Sequence, residues 1–294
     1  MPEIKEGLAI AHLGQGIAVE GHGQIILCQP LRKLDTVTVG DKVLWSEAGP
    51  GQGRIEQILP RHSVLLRPAR NGKTRPVAAN IDRVFVIFAM EPHYDCLLID
   101  QYLAICENSN FKAALVLNKA DLPLTDEAEH DLAVYAELGY PIYKVSAKTG
   151  LGLDRLIQAL KNQVSVFAGQ SGVGKSSLTN AFIPDKDIKI NTISASAKLG
   201  RHTTTAATLY HLKEGGDLID SPGVAIFGLA DLSASELAYG YREFRPFIGN
   251  CQFNDCRHEQ DKGCAIRAAV ENGTIASSRY QRFLKLKEKI PLKR

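Results

Sequence analysis

The chain has 294 residues, 45% of them hydrophobic and 23% charged, with a formal net charge of +3. That composition is ordinary for a soluble globular protein, and the length leaves room for two or three domains. No run of eighteen apolar residues spans a membrane, and Met1-Pro2-Glu3-Ile4-Lys5-Glu6 lacks the basic start and apolar run of a signal peptide, so the expected compartment is the cytoplasm. The mild basic excess permits nucleic-acid binding without requiring it.

Residues 1–70 contain short alternating or apolar runs separated by glycine-rich turns. They are Leu8-Ala9-Ile10-Ala11-His12, Gln24-Ile25-Ile26-Leu27-Cys28, Lys42-Val43-Leu44-Trp45, Arg54-Ile55-Glu56-Gln57-Ile58 and Ser63-Val64-Leu65-Leu66. Five short strands predict a small barrel, with an OB-fold first and an SH3-like barrel as the alternative. Arg32, Lys33, Arg54, Arg61, Arg67, Arg70 and Lys73 are candidates for a phosphate-facing patch, or for a merely solvated surface.

From Asn80 the rhythm changes. Val84-Phe85-Val86-Ile87-Phe88-Ala89 and Ala113-Ala114-Leu115-Val116-Leu117 are all-apolar runs, as in strands buried on both faces of a parallel sheet. Helical stretches around Leu97–Leu103, over 126–138 and over 153–160 alternate with them and with the strand Ile142-Tyr143-Lys144-Val145. Alternation of this kind predicts a doubly wound α/β sheet. Asn118-Lys119-Ala120-Asp121 directly follows one strand. The Asp121 carboxylate can accept two hydrogen bonds from guanine N1–H and its exocyclic amine, for which adenine has no matching donors. The Lys119 stem would cover the ring, and Ser146-Ala147-Lys148 would offer a backbone N–H to guanine O6.

Val164-Ser165-Val166-Phe167-Ala168 leads into Gly169-Gln170-Ser171-Gly172-Val173-Gly174-Lys175-Ser176-Ser177, a phosphate-binding P-loop between a strand and a helix. Its glycines let successive N–H groups turn inward, Lys175 would stabilise the transferred phosphoryl group, and Ser176 would ligate Mg²⁺. Leu218-Ile219-Asp220-Ser221-Pro222-Gly223 supplies the second phosphate-side element, with Asp220 toward the Mg²⁺ shell and Gly223 toward the γ-phosphate. The order is unusual. The base-reading segments precede the P-loop, whereas Ras-like GTPases begin with it. Joining the usual termini near 160–164 and opening the chain after Gly223 gives the same sheet in permuted order.

With these motifs in place, the chain resembles the ribosome small subunit-dependent GTPase family, RsgA (also called YjeQ or YloQ), over nearly its whole length. The resemblance implies a bacterial cytoplasmic assembly factor acting on the small ribosomal subunit and its rRNA, and it favours the OB-fold over other barrels. Between P-loop and Asp220 lie Gly200-Arg201-His202-Thr203-Thr204-Thr205. Thr204 or Thr205 would complete Mg²⁺ coordination in the GTP state. Residues 185–197 are polar and expected to be mobile. Val224 stands where a Ras-type enzyme has its water-orienting Gln, so slow intrinsic hydrolysis is expected, with His202 a candidate to position water.

Cys28, Cys96 and Cys106 lie singly in apolar stretches and read as core thiols. Cys251, Cys256, His258 and Cys264 offer three thiols and an imidazole within fourteen residues, a closed tetrahedral Zn²⁺ site of structural type. The family resemblance implies the same ligand set. Arg242, Arg245, Arg257 and Arg267 surround it, and Arg279, Arg282, Lys285, Lys287, Lys289, Lys293 and Arg294 face one acid, Glu288, as in a basic helix and tail suited to RNA or simply solvated. The expectation is a multidomain chain: an OB-fold β-barrel (1–70), a circularly permuted α/β P-loop GTPase (71–229) and a mostly helical zinc-binding domain (230–294). It would be a monomeric GTP hydrolase binding GTP or GDP, one Zn²⁺ and Mg²⁺. The competing readings are a GTP-binding RNA scaffold with negligible turnover, and a P-loop kinase for a small metabolite.

Overall fold

Five strands open the chain: β1 (Lys5–Leu13), β2 (Gly16–Gly21), β3 (Gln24–Pro30), β4 (Lys42–Gly49) and β5 (Gln52–Ile58). The computed structural model describes residues 3–68, 74–109, 112–185, 207–220 and 232–290. β1 pairs with both β2 and β4, and β3 pairs in parallel with β5, which closes the ring β1-β2-β3-β5-β4. This is the expected five-stranded OB barrel. Its interior is Ala9, Ile17, Val19, Cys28, Val43, Trp45 and Ile55. Gly53 is required by that packing, since a Cβ there would sit 2.5 Å from the Cys28 sulfur.

One expected strand belongs elsewhere. Ser63-Val64-Leu65-Leu66 is not a barrel strand: among the described residues Val64–Pro68 (β6) pairs with Thr74–Ala79 (β7) in a two-stranded sheet of its own. The missing barrel strand is β2, a short run between two glycines that carries little periodic signal. Two cations of the expected basic patch are also committed to protein acids. Arg61 forks onto the buried Asp41 at 2.6 and 2.7 Å, and Arg54 bonds Glu56 at 2.8 Å. Arg32, Lys33 and Arg67 are exposed, while Arg70 and Lys73 lie outside the described residues.

The next six strands are β8 (Arg83–Phe88), β9 (Lys112–Leu117), β10 (Ile142–Lys144), β11 (Val164–Ala168), β12 (Thr208–His211) and β13 (Asp217–Asp220), in the spatial order β10-β9-β8-β11-β13-β12. All neighbours are parallel except β12 and β13. The apolar runs follow from this, because each central strand is buried on two faces. α1 (Cys96–Glu107) and α2 (Asp126–Glu137) follow β8 and β9, and α3 (Leu153–Leu160) and α4 (Lys175–Phe182) flank β11 in sequence. β12, unforeseen in the sequence, meets β1 at Ala11 and Thr208, so barrel and nucleotide sheet continue as one eleven-stranded sheet. A shared core runs across this joint, through Ile10, Ala11, Leu209, Ile219 and Val166.

The C-terminal region is helical. α5 (Ala234–Tyr239) starts at a Ser233–Glu236 capping box, a 3₁₀ turn covers Arg242–Phe244, and α6 (Ala265–Glu271) and α7 (Ser277–Glu288) follow. Leu237, Tyr241, Phe244, Ile266, Phe283 and Leu286 form its core against Ala104 of α1. Here the basic-helix expectation needs correction. Arg279 is 1% exposed and pairs with Asp100 and Glu243, while Arg282 bonds Asp100 at 2.7 Å and Asp131 at 3.0 Å. Arg242 and Arg245 both hold Glu107. A cation inside the protein needs a partner acid, and these have theirs at long range. On α7, Lys285 remains exposed, as does Lys289 just beyond it; Lys293 and Arg294 lie outside the described residues. Among the described residues no helix is long and apolar enough to cross a membrane.

Candidate functional site

β11 stops at Ala168 and α4 starts at Lys175, so the P-loop occupies the carboxyl edge of the parallel sheet, where open α/β folds bind ligands. Gly169, Gly172 and Gly174 have φ of +142°, +83° and +93°. Two of them also make approaches that no side chain permits. A Cβ on Gly169 would lie 2.0 Å from the Ile87 carbonyl oxygen, and one on Gly174 would lie 2.1 Å from Asn118 Nδ2. Gly174 caps α4 without a side chain, leaving the first-turn amides directed at the loop mouth. Lys175 Nζ donates to Gly169 O at 2.8 Å and Gln170 O at 2.6 Å, folding back over the loop it serves. Burial lowers its pKa and the Asp220 carboxylate opposes that shift, which places the end of β13 beside the lysine.

Asn118, at the end of β9, joins three motif loops. Its Nδ2 donates to Val173 O at 2.8 Å, and its Oδ1 accepts from Ala147 N at 3.1 Å. The side chain is buried, so this first residue of the base-reading tetrad aligns the P-loop and the Ser-Ala-Lys turn. Lys119 takes a left-handed backbone (φ +59°) and its Nζ donates to Glu91 O at 3.0 Å. Asp121 is exposed. A hydrogen bond from Ser146 holds its carboxyl below the usual carboxylate range, with the charges of Lys148 and Lys119 acting in the same sense. An ionised acceptor at this point is what guanine N1–H and its amine require.

The fold thus brings Gly169, Gln170, Ser171, Gly172, Val173, Gly174, Lys175, Ser176 and Ser177 to one sheet edge with Asn118, Lys119, Asp121, Ser146, Ala147, Lys148 and Asp220. His202, Thr204, Thr205, Gly223 and Val224 lie outside the described residues, as does most of 185–197. The 89–95 connection between β8 and α1 was not foreseen: Glu91 touches Lys119, and Pro92 lies against Gly172 of the P-loop. No motif marks that connection. Only its place after a central strand could have flagged it.

The second site lies in the C-terminal region, in the loop that leads into α6. One ligand atom from each of Cys251, Cys256, His258 and Cys264 falls within 4.8 Å of the others. His258 Nδ1 is 3.6 Å from Cys251 Sγ and 3.5 Å from Cys264 Sγ. Burial first, then the Lys287 ammonium, lowers the His258 pKa, keeping the imidazole neutral with a lone pair to give. The surrounding loop is tied to α7, since Tyr280 OH donates to His258 O at 2.7 Å and Lys287 Nζ to Arg257 O at 2.6 Å. Four soft or borderline donors converging this closely can hold a metal ion.

Residues 58–230 match the profile of the RsgA GTPase family. The chain belongs to this family. The small ribosomal subunit biogenesis GTPase RsgA of Sodalis glossinidius is 44% identical over 292 residues, covering 96% of this chain and 84% of that relative. Its counterpart from Pseudomonas aeruginosa is 44% identical over 289 residues, covering 97% and 85%. The crystal structure of YjeQ from Thermotoga maritima has a TM-score of 0.81 at 33% identity, covering 99% of this chain and all of the other. YloQ, described as a circularly permuted GTPase, has a TM-score of 0.75 at 27% identity, covering 99% and 97%. Membership makes the chain a GTP-hydrolysing enzyme with a permuted G domain, and it counts against both the inert scaffold and the metabolite kinase.

Proposed function

We propose that this chain binds GTP across the P-loop and the Asn118–Asp121 tetrad and hydrolyses it while engaged with the small ribosomal subunit, in late assembly of that particle. The observation that carries this reading is the single buried amide of Asn118, which locks the phosphate loop and both base-reading loops into one site. Gly169 to Ser177 cradle the phosphates and Lys175 stabilises the transferred phosphoryl group. Asp121 selects guanine, Lys119 covers the ring, and a backbone N–H of the Ser146-Ala147-Lys148 turn reads O6. Ser176 and Asp220 are oxygen donors suited to Mg²⁺, with Thr204 or Thr205 completing the set and Gly223 sensing the γ-phosphate. A Mg²⁺ ion held there would supply neutralisation of the charge that develops on the phosphate. With Val224 in place of the usual Gln, His202 positions the attacking water when the ribosomal particle is engaged.

The three thiols and the imidazole of the C-terminal cluster suit one structural Zn²⁺ held by Cys251, Cys256, His258 and Cys264. The domains run 1–70, 71–229 and 230–294, the protein acts as a cytoplasmic monomer away from membranes, and the exposed Arg32, Lys33 and Arg67 are available to rRNA. Two measurements test the reading. Phosphate release should rise when small subunits are titrated in, and equal stimulation by large subunits or naked RNA would overturn the partner. Asp121→Asn should weaken GTP by about 10²-fold or more, by loss of charge-assisted bonds in a site built to make them, and should improve xanthosine nucleotide binding. Equal affinity of the unaltered protein for GTP and ATP would refute the base-reading role.

A further inference from the structure

Two helices, one following the 89–95 connection and one following the Asn118–Asp121 tetrad, are gripped from behind by the C-terminal region. α1 follows the 89–95 connection, whose Glu91 carbonyl takes the Lys119 ammonium and whose Pro92 would stand 3.3 Å from a Cβ on Gly172. Nearly two turns into α1, Tyr102 reaches the backbone of Gly169. α2 begins just after Asp121, capped by Thr125. α1 is buried on two faces. Ile99, Tyr102, Leu103 and Cys106 pack on the sheet, and Asp100, Ala104 and Glu107 face the C-terminal helices.

The grip on that second face is ionic and tight. Asp100 is fully buried and takes both Arg279 and Arg282, and Arg282 also spans to Asp131 of α2 at 3.0 Å. Cys96 at the start of α1 donates to the same Asp131 at 2.9 Å. Gly240 allows direct helix contact, since a Cβ there would lie 2.7 Å from Ala104 Cα. A buried ion network holds one geometry, because sliding any member leaves a charge without its partner. α1 and α2 therefore cannot part, or turn relative to the P-loop, unless α7 moves with them.

We propose that the C-terminal region sets the residence time of guanine nucleotide by holding α1 and α2 through Asp100, Asp131, Arg279 and Arg282. A partner that shifts α7 loosens the Lys119 and Gly172 sides of the site together and speeds release without touching the reacting phosphate. This rests on the nucleotide site assigned above. The test is stopped-flow release of fluorescent GDP from the full chain, with single-turnover GTP hydrolysis measured in parallel. Arg282→Met and Asp131→Asn should each raise the release rate by on the order of tenfold, a typical coupling between sites, and change single-turnover hydrolysis by less than about twofold. Arg282→Lys should recover part of the difference. Arg61→Met removes a comparable arginine–aspartate fork beside the barrel that involves no residue of α1, α2 or α7 and should leave release unchanged.

Equal release rates in the unaltered protein and in whichever of the two variants folds overturn the proposal. So does a matching rise in Arg61→Met, which would mean that general loosening is enough. Failure of both variants to fold also counts against it, since the network would then be a folding element and not a tuning one. Absence of GDP binding by the unaltered protein would instead remove the nucleotide assignment itself.

Discussion

The nucleotide sheet has two joints, and they are built from opposite materials. Toward the barrel it continues through β12 into β1 over a shared apolar core of Ile10, Ala11, Leu209 and Ile219. Toward the C-terminal helices it presents acids to arginines: the buried Asp100 and Asp131 against the buried Arg279 and mostly covered Arg282, and Glu107 against the part-exposed Arg242 and Arg245. An apolar seam is non-directional, and its strength grows with area. An ionic joint is directional and fails abruptly, because a lost partner leaves an uncompensated charge in a poor solvent for it. The contrast suits a barrel that serves as a fixed platform and a C-terminal region that transmits force.

Metal removal should separate the joints most widely. The Cys251, Cys256, His258 and Cys264 loop is bonded to α7 through Tyr280 and Lys287, and α7 carries Arg279 and Arg282. Metal binding in such small sites is coupled to folding. Chelation should therefore raise hydrogen exchange across α6, α7 and the ionic joint, while β1 and β12 stay protected and the G domain still binds nucleotide. Elemental analysis should find one zinc per chain beforehand. Equal deprotection of both joints would erase the distinction.

Arg279→Met probes the ionic joint alone. It leaves Asp100 and Glu243 short of a partner and should cost about 3–5 kcal/mol in chemical denaturation. Leu209→Ala probes the seam. Leu209 is buried among Ile10, Ala11 and Ile219 on the β12 side, and truncation should cost about 2–4 kcal/mol as lost transfer energy and a residual cavity. Added salt should change the second loss little, since no charge is involved. A loss under about 1 kcal/mol for Arg279→Met would mean that the joint relaxes, and the comparison would fail on its ionic side.

These joints were also the least legible part of the sequence. The P-loop, the Asn118 tetrad and the Ser-Ala-Lys turn could be placed at strand ends because each is a contiguous chemistry beside an all-apolar strand. The cysteine–histidine cluster could be found for the same reason. Arg279 and Arg282 looked like a solvated or RNA-facing charge run because their acids lie far upstream, Asp100 being 179 and 182 residues away. β2 and β12 are short and were missed, and β6 had a strand's pattern but a hairpin's partner, since pattern reports burial and not pairing. Asn118 was assigned to the nucleotide. Its second task, bracing Val173 and Ala147, depends on three loops meeting and has no one-dimensional trace.

One charged contact does sit at the apolar joint, and it gives the smallest effect. His211 on β12 bonds Asp217 of β13 through Nδ1 at 2.6 Å and Glu20 of the barrel strand β2 through Nε2 at 2.6 Å. The Asp217 bond first, then the Glu20 bond and the two negative charges, push the imidazolium pKa up to about 9 from 6.5. A raised cation pKa stabilises the folded state fully below the unfolded value and loses that contribution as pH rises through the folded one. Thermal stability should therefore fall modestly between pH 7 and pH 10 in the unaltered protein, beyond any fall in His211→Gln. Half the imidazole is in solvent, so the loss is screened and should shrink with salt. If the two proteins follow the same pH curve, the bridge adds nothing, and the barrel joint is held by its apolar core alone.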